Sequence, residues 1–210
     1  MKQILCFGDS NTYGLIPGST RRFKWEQRWT GRLEQKLGRD FRMIEEGLCG
    51  RTTVFEDALR SGRKGCTYLP VLLETHAPLD GVILMLGTND CKAVNNASAK
   101  VIGKGIEKLI LQIRAFSKEI PILLISPILL GETVWKKEFD SEFDTKSVVT
   151  ARQLKEEYQK IAEQYGCWFL AASEFTLPSN LDLEHLDEVG HQKLADAIYE
   201  KGQGFFTYGS

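Results

Sequence analysis

Two short motifs near opposite ends of the chain hold the residue types that turn an alcohol into a nucleophile. Ser10 stands in Gly8-Asp9-Ser10-Asn11, directly after the apolar run Ile4-Leu5-Cys6-Phe7, and Asp182 and His185 stand three residues apart in Asp182-Leu183-Glu184-His185. A serine attacks a carbonyl poorly at neutral pH unless a base removes its proton, and a carboxylate must hold that base in the right tautomer. The three-residue spacing lets Asp182 and His185 share one turn, with the carboxylate folded back onto a ring nitrogen. Attack on an ester creates an oxyanion, and three donors suit it: the backbone N–H of Ser10, the N–H of Gly50 and the side-chain amide of Asn89. Taken singly, each residue has a plain structural explanation. Ser10 can cap a helix, Asp182 a turn, and His185 can be a satisfied core histidine; Gly50 and Asn89 are ordinary turn residues. Their convergence argues for chemistry, because Ser10, Gly50 and Asn89 all follow the ends of predicted strands.

Those strands fall at about 2 to 7, 41 to 46, 80 to 86, 121 to 126 and 167 to 171. Amphipathic helices fit between and after them at Thr30 to Leu37, Tyr68 to Thr75, Ser98 to Lys118, Val148 to Tyr165 and Glu188 to Lys201, each with apolar residues at three- and four-residue spacing. Short buried strands alternating with helices predict an α/β fold, a parallel sheet covered on both faces. A flavodoxin-like order 2-1-3-4-5 brings the ends of the first three strands to the switch point, where such folds bind their ligands. The irregular stretches Leu15 to Gln27 and Gly131 to Thr145 can wall that site. Trp25, Trp29, Trp135, Phe139 and Phe143, in or near them, suit an acyl tunnel, a subunit contact or plain packing.

The chain has 210 residues, 42% hydrophobic and 26% charged, with 27 basic against 28 acidic residues, which predicts one globular domain over 1-210. The near-neutral balance excludes the basic footprint of a nucleic-acid binder. No apolar run reaches the ~18 residues of a membrane span, and Met1-Lys2 opens straight into a strand without a signal peptide, so the expectation is a cytoplasmic protein and no membrane partner. Five cysteines without a CxxC pair argue against both a disulfide framework and a zinc site. His185, Glu184 and His191 lack helical zinc spacing, so no metal is expected, and Cys49 reads as a loop thiol rather than a second nucleophile. Neither phosphate-loop pattern is present, and no cofactor is expected.

GDSN at Gly8 to Asn11, the glycine of CGRTT at Gly50, GTND at Gly87 to Asp90 and DLEH at Asp182 to His185 resemble, in order, the four blocks of the SGNH (GDSL) hydrolase family. RWTG, EEGLCGRTT, YLPVLLETHAPLD and VILMLGTND are further similar to its arylesterase subgroup, which also performs acyl transfer and perhydrolysis. The resemblance implies a three-layer α/β/α sandwich with a five-stranded parallel sheet. It implies Ser10 as nucleophile, Asp182 and His185 as its partners, and Ser10, Gly50 and Asn89 as oxyanion donors, in a serine esterase acting on small carboxylic esters. It also implies a homo-oligomer in which Leu15 to Gln27 helps build a restricted entrance. A carbohydrate O-acetyl esterase of the same fold is the alternative, and a non-catalytic flavodoxin-like binding module the alternative from another class.

The chain departs from the family at the mouth of the site. Leu183 and Glu184 replace the usual glycine and apolar residue, Asn11 replaces a leucine, and Tyr13 replaces a bulkier aromatic. Asn11, Tyr13 and Glu184 are therefore the expected substrate-binding residues, and Glu184 is expected to face the acyl or alcohol pocket.

Overall fold

The computed structural model describes residues 1–208. Its elements run β1 (Lys2–Gly8), α1 (Ser10–Tyr13), α2 (Trp29–Leu37), β2 (Phe41–Gly47), α3 (Gly65–Thr75), β3 (Gly81–Met85), α4 (Ala99–Phe116), β4 (Ile122–Ser126), α5 (Thr145–Tyr165), β5 (Trp168–Ala171), α6 (Glu188–Lys201) and α7 (Gln203–Thr207). The five strands form one parallel sheet in the order β2-β1-β3-β4-β5. This is the order expected from the sequence.

Alternation along the strands divides the core in two. Leu5, Phe7, Val82, Leu84, Ile122 and Leu124 face α3, α4 and α5. Their neighbours Ile4, Cys6, Ile83, Met85, Leu123 and Ile125 face α2, α6 and α7. Crossover handedness explains which helix lies where: the β1 to β2 connection runs toward one edge and the next three run the other way, so a right-handed path puts α2 opposite α3, α4 and α5. The chain thus reverses direction between β1 and β3, and the crevice beyond their carboxyl ends is left open. Leu84 is fully buried, and its truncation to alanine costs about 2–5 kcal/mol.

The helices depart from expectation mainly at their starts. Helix α3 begins at Gly65, three residues before the anticipated Tyr68, and it carries Pro70 inside it. Proline cannot donate to the carbonyl four residues earlier, and Gln112 Nε2 takes that place at 2.7 Å from the Cys66 oxygen. Helix α5 starts at Thr145, where Asp144 and Ser147 form a reciprocal cap, and it ends at Gly166 in the left-handed conformation.

Several aromatics of the irregular stretches belong to the core. Trp29 is fully buried and Phe143 nearly so, and Trp25 packs on the α2/α6 cluster. Arg28 lies over the Trp25 ring at 5.1 Å, while Trp135 is exposed and donates to the Glu132 carbonyl. The 15–27 segment is docked on its own chain: Arg22 donates to the Tyr13 carbonyl at 2.7 Å and pairs with Glu45, which Arg28 reaches at 3.3 Å.

Candidate active site

Ser10 is the first residue of α1, immediately beyond β1, and Asp9 caps that short helix by accepting from Asn11 N at 3.0 Å. His185 lies on the turn that precedes α6. Its Nε2 is 2.9 Å from Ser10 Oγ and its Nδ1 is 2.9 Å from Asp182 Oδ2. Asp182 Oδ1 also accepts from the backbone N–H of His185 at 3.0 Å, and Gly18 N donates to Oδ2 at 3.0 Å. The carboxylate is therefore held from three sides. Burial pushes the Asp182 carboxyl up, but the His185 contacts and the Gly18 N–H outweigh it and hold the group below its ordinary range. Burial pushes the His185 ring down, but the charge of Glu184, the Asp182 hydrogen bond and charge, and Asp9 raise it to about 9.

The loop after β2 reaches the same place through a buried arginine. Arg51 Nη1 donates to the Gly8 carbonyl at 2.9 Å and to the Glu46 carbonyl, and the guanidinium lies 4.2 Å from the Phe7 ring centroid. Gly50, just before it, has φ +81, a conformation that a side chain would strain. The Arg51 carbonyl accepts from Asn89 Nδ2 at 3.2 Å, so the loops after β1, β2 and β3 are tied together. Asp90 completes the tie. It is fully buried and accepts from Thr53 N at 3.0 Å and from the Thr53 hydroxyl; burial raises it to about 7 despite those hydrogen bonds. Beyond their place beside motif residues, no local pattern marks Arg51 or Asp90 as supports.

The three expected substrate-binding residues differ in their surroundings, beginning with Asn11. Its amide is buried and committed to the protein: Nδ2 donates to the Glu184 carbonyl at 3.3 Å, and Oδ1 accepts from Leu186 N at 2.9 Å. It ties α1 to the histidine turn. Tyr13 is half-buried under the Arg22 guanidinium, 4.1 Å from its ring centroid. Glu184 does lie against His185, with Oε1 3.8 Å from Nε2 and its side chain 7% exposed. Burial raises its carboxyl to about 6, against the pull of His185 and Lys92.

An open pocket of about 310 Å³ adjoins Gly50 and Asn89 and is walled in part by Ala58, Leu59, Ala93 and Val94. Its rim is held by Glu142, which pairs with Lys92 and with Arg60 at 2.9 Å. His191 stands apart, buried in α6 and accepting from Trp29 N through Nδ1 at 3.2 Å. Among the described residues no cluster of three or more His, Cys, Asp or Glu could hold a metal ion, and no helix is long and apolar enough to cross a membrane.

A parallel sheet of this order, with a serine, histidine and carboxylate meeting beyond its first strand, defines a hydrolase of the three-layer α/β/α class. The chain belongs to the GDSL-like lipase/acylhydrolase family, whose model matches residues 6–193, and it is an ester-hydrolysing enzyme. No curated protein matches it. Among solved structures it is similar to the aryl esterase of M. smegmatis, at 34% identity over 98% of this chain and 100% of that one with a TM-score of 0.91. It is similar to a carbohydrate acetylesterase from Sinorhizobium meliloti, at 33% identity over 98% and 100% with a TM-score of 0.90. A third, an arylesterase assigned in Agrobacterium tumefaciens strain C58, shares 30% identity over 98% and 100% with a TM-score of 0.88.

Proposed function

We propose that the chain acts as one serine esterase domain cleaving small carboxylic esters through an acyl enzyme. Ser10 attacks the carbonyl carbon, His185 takes its proton and returns it to the leaving oxygen, and Asp182 holds the imidazole and stabilises its charged form. Water, or a second alcohol in an acyl transfer, then attacks the acyl enzyme with His185 again as base. The Ser10 and Gly50 N–H groups and the Asn89 amide hold the oxyanion of each half-reaction. The carrying observation is the unbroken hydrogen-bonded chain from Asp182 through His185 to Ser10, at 2.9 Å on each side of the ring.

The pocket beside Gly50 and Asn89 takes the acyl group, which leaves the alcohol on the His185 side. Likeness to an aryl esterase supports aryl esters as substrates, and likeness to a carbohydrate acetylesterase supports carbohydrate O-acetyl esters as a second reading. A cytoplasmic setting is supported by five free cysteines. A homo-oligomer is supported by the exposed Leu59, Val94 and Leu181, and light scattering tests it. The nucleophile is tested with a fluorophosphonate: wild type takes one label at Ser10, and Ser10→Ala takes none. Labelling elsewhere, or none in the folded wild type, overturns the assignment.

A further inference from the structure

Glu184 is an acid beside the catalytic histidine with no part in the proposed acyl transfer, and its surroundings are unusual. Its backbone is fixed, the N–H donating to Asp182 Oδ1 at 3.2 Å and the carbonyl accepting from Asn11. Its carboxylate is not: among the described residues no group donates a hydrogen bond to it, although the side chain is more than nine-tenths buried. The nearest cation is the His185 ring. Lys92, which also acts on it electrostatically, has its ammonium bound to Glu142, and Asp140 adds repulsion. The side chain is mostly buried, yet its carboxylate oxygens are not among the enclosed unpartnered atoms, so they remain open to a donor from outside the protein, and a hydrogen bond to an ionised acceptor is among the stronger ones available.

The position says which donor. Glu184 Oε1 lies 3.8 Å from His185 Nε2, the nitrogen that also faces Ser10 Oγ at 2.9 Å. The leaving alcohol must bring its oxygen to that same nitrogen to receive the proton. The carbon next to the one that bears this oxygen then comes beside the carboxylate. A hydroxyl on that carbon can donate to Glu184. An alkyl chain would instead desolvate the anion.

We infer that Glu184 determines specificity for the alcohol half of the ester, selecting alcohols that carry a second hydroxyl beside the esterified one, as glycerol and sugars do. The inference rests on Ser10 and His185 acting as proposed. It goes beyond the likeness to a carbohydrate acetylesterase by assigning the recognition to one side chain and one chemical group.

The test compares kcat/KM for monoacetylglycerol and ethyl acetate, which share an acyl group, so that effects in the acyl pocket cancel. Wild type is expected to prefer the polyol ester. Glu184→Ile should lower the polyol-to-ethyl ratio by at least ~10-fold, the size expected for losing a hydrogen bond to a charged group. Glu184→Gln keeps one acceptor oxygen and should lower the ratio by less, about threefold or more, and it carries the test alone if Glu184→Ile does not fold. A ratio within twofold of wild type in the folded variants overturns the assignment of Glu184. If the wild type takes fluorophosphonate at Ser10 and hydrolyses ethyl acetate, that result leaves the serine mechanism standing. If Ser10 takes no label and neither ester is cleaved, both fall together.

Discussion

Two histidines six residues apart, His185 and His191, show how completely surroundings decide what an imidazole does. His185 sits on a turn with Asp182 on one nitrogen and Ser10 and Glu184 beside the other, and its proton is held up to about 9. His191 sits one helical turn into α6, where burial, together with Arg32, Arg28 and His185, pushes it down to about 3. Its Nδ1 accepts from Trp29 N, its ring meets Phe23 edge-on at 5.3 Å, and among the described residues Nε2 has no partner. One ring is surrounded by acceptors for its protons and the other by a donor and cations. The first suits the proton cycling proposed for it, and the second stays neutral and holds α2 against α6.

The contrast breaks most sharply if the rings are exchanged in importance. His185→Gln and Ser10→Ala should each lower kcat/KM by at least ~10³ with little change in the denaturant midpoint, whereas His191→Gln should leave the turnover within a few fold and lower the midpoint. Loss of activity in His191→Gln without loss of stability would undo the division of labour. Next in size is Asn89→Ala, which should cost on the order of 10² in kcat on the acylation step; an effect confined to KM would remove Asn89 from the oxyanion hole.

The third prediction uses the sign of each shift. His191 has a folded value below its ordinary 6.5, so the unfolded chain takes up the proton first, and its contribution to stability is whole above pH 6.5 and is lost as pH falls toward 3. Between pH 6.5 and 5 the loss amounts to about 2 kcal/mol, and His191→Gln should flatten that part of the denaturant-midpoint curve. His185 runs the other way. Its free-base form, which the proposed attack needs, appears only as pH rises toward about 9, so kcat/KM should climb through the alkaline range. The smallest effect expected is on that limb: Glu184→Gln removes the largest influence raising the ring and should move the limb to lower pH, and a limb that stays in place would mean that Glu184 does not act on His185.

Much of this was legible in the chain because it is local. Apolar runs such as Ile4 to Phe7 and Val82 to Leu86 mark buried strands by composition alone, and the three-residue spacing of Asp182 and His185 fits one turn. What was not legible depends on residues far apart in sequence. Asn11 looked like a polar group at the mouth, and only the approach of the 184–186 backbone, more than 170 residues later, shows both ends of its amide in use. Arg51 closes the end of β1 over Phe7, a contact that no local pattern around position 51 marks. Glu142, Lys92 and Arg60 come from three loops, and no local pattern links them.

Leu183 holds φ +62, where a side chain costs about 1–2 kcal/mol and glycine costs nothing, and glycine is what the resembling family usually carries there. The missing glycine is found across the contact: a Cβ on Gly131 would lie 2.6 Å from that of Leu183, and Gly131 N donates to the Leu183 carbonyl at 2.8 Å. Bulk and bare backbone have thus been divided between two positions in a fixed way. Neither can be altered without regard to the other, so the fitness of each substitution depends on the order in which they arrive. Gly131→Ala introduced first forces two side chains together, whereas after Leu183→Gly the three atoms nearest the new Cβ are gone, so the cost of one change beside the proposed catalytic turn depends on the other.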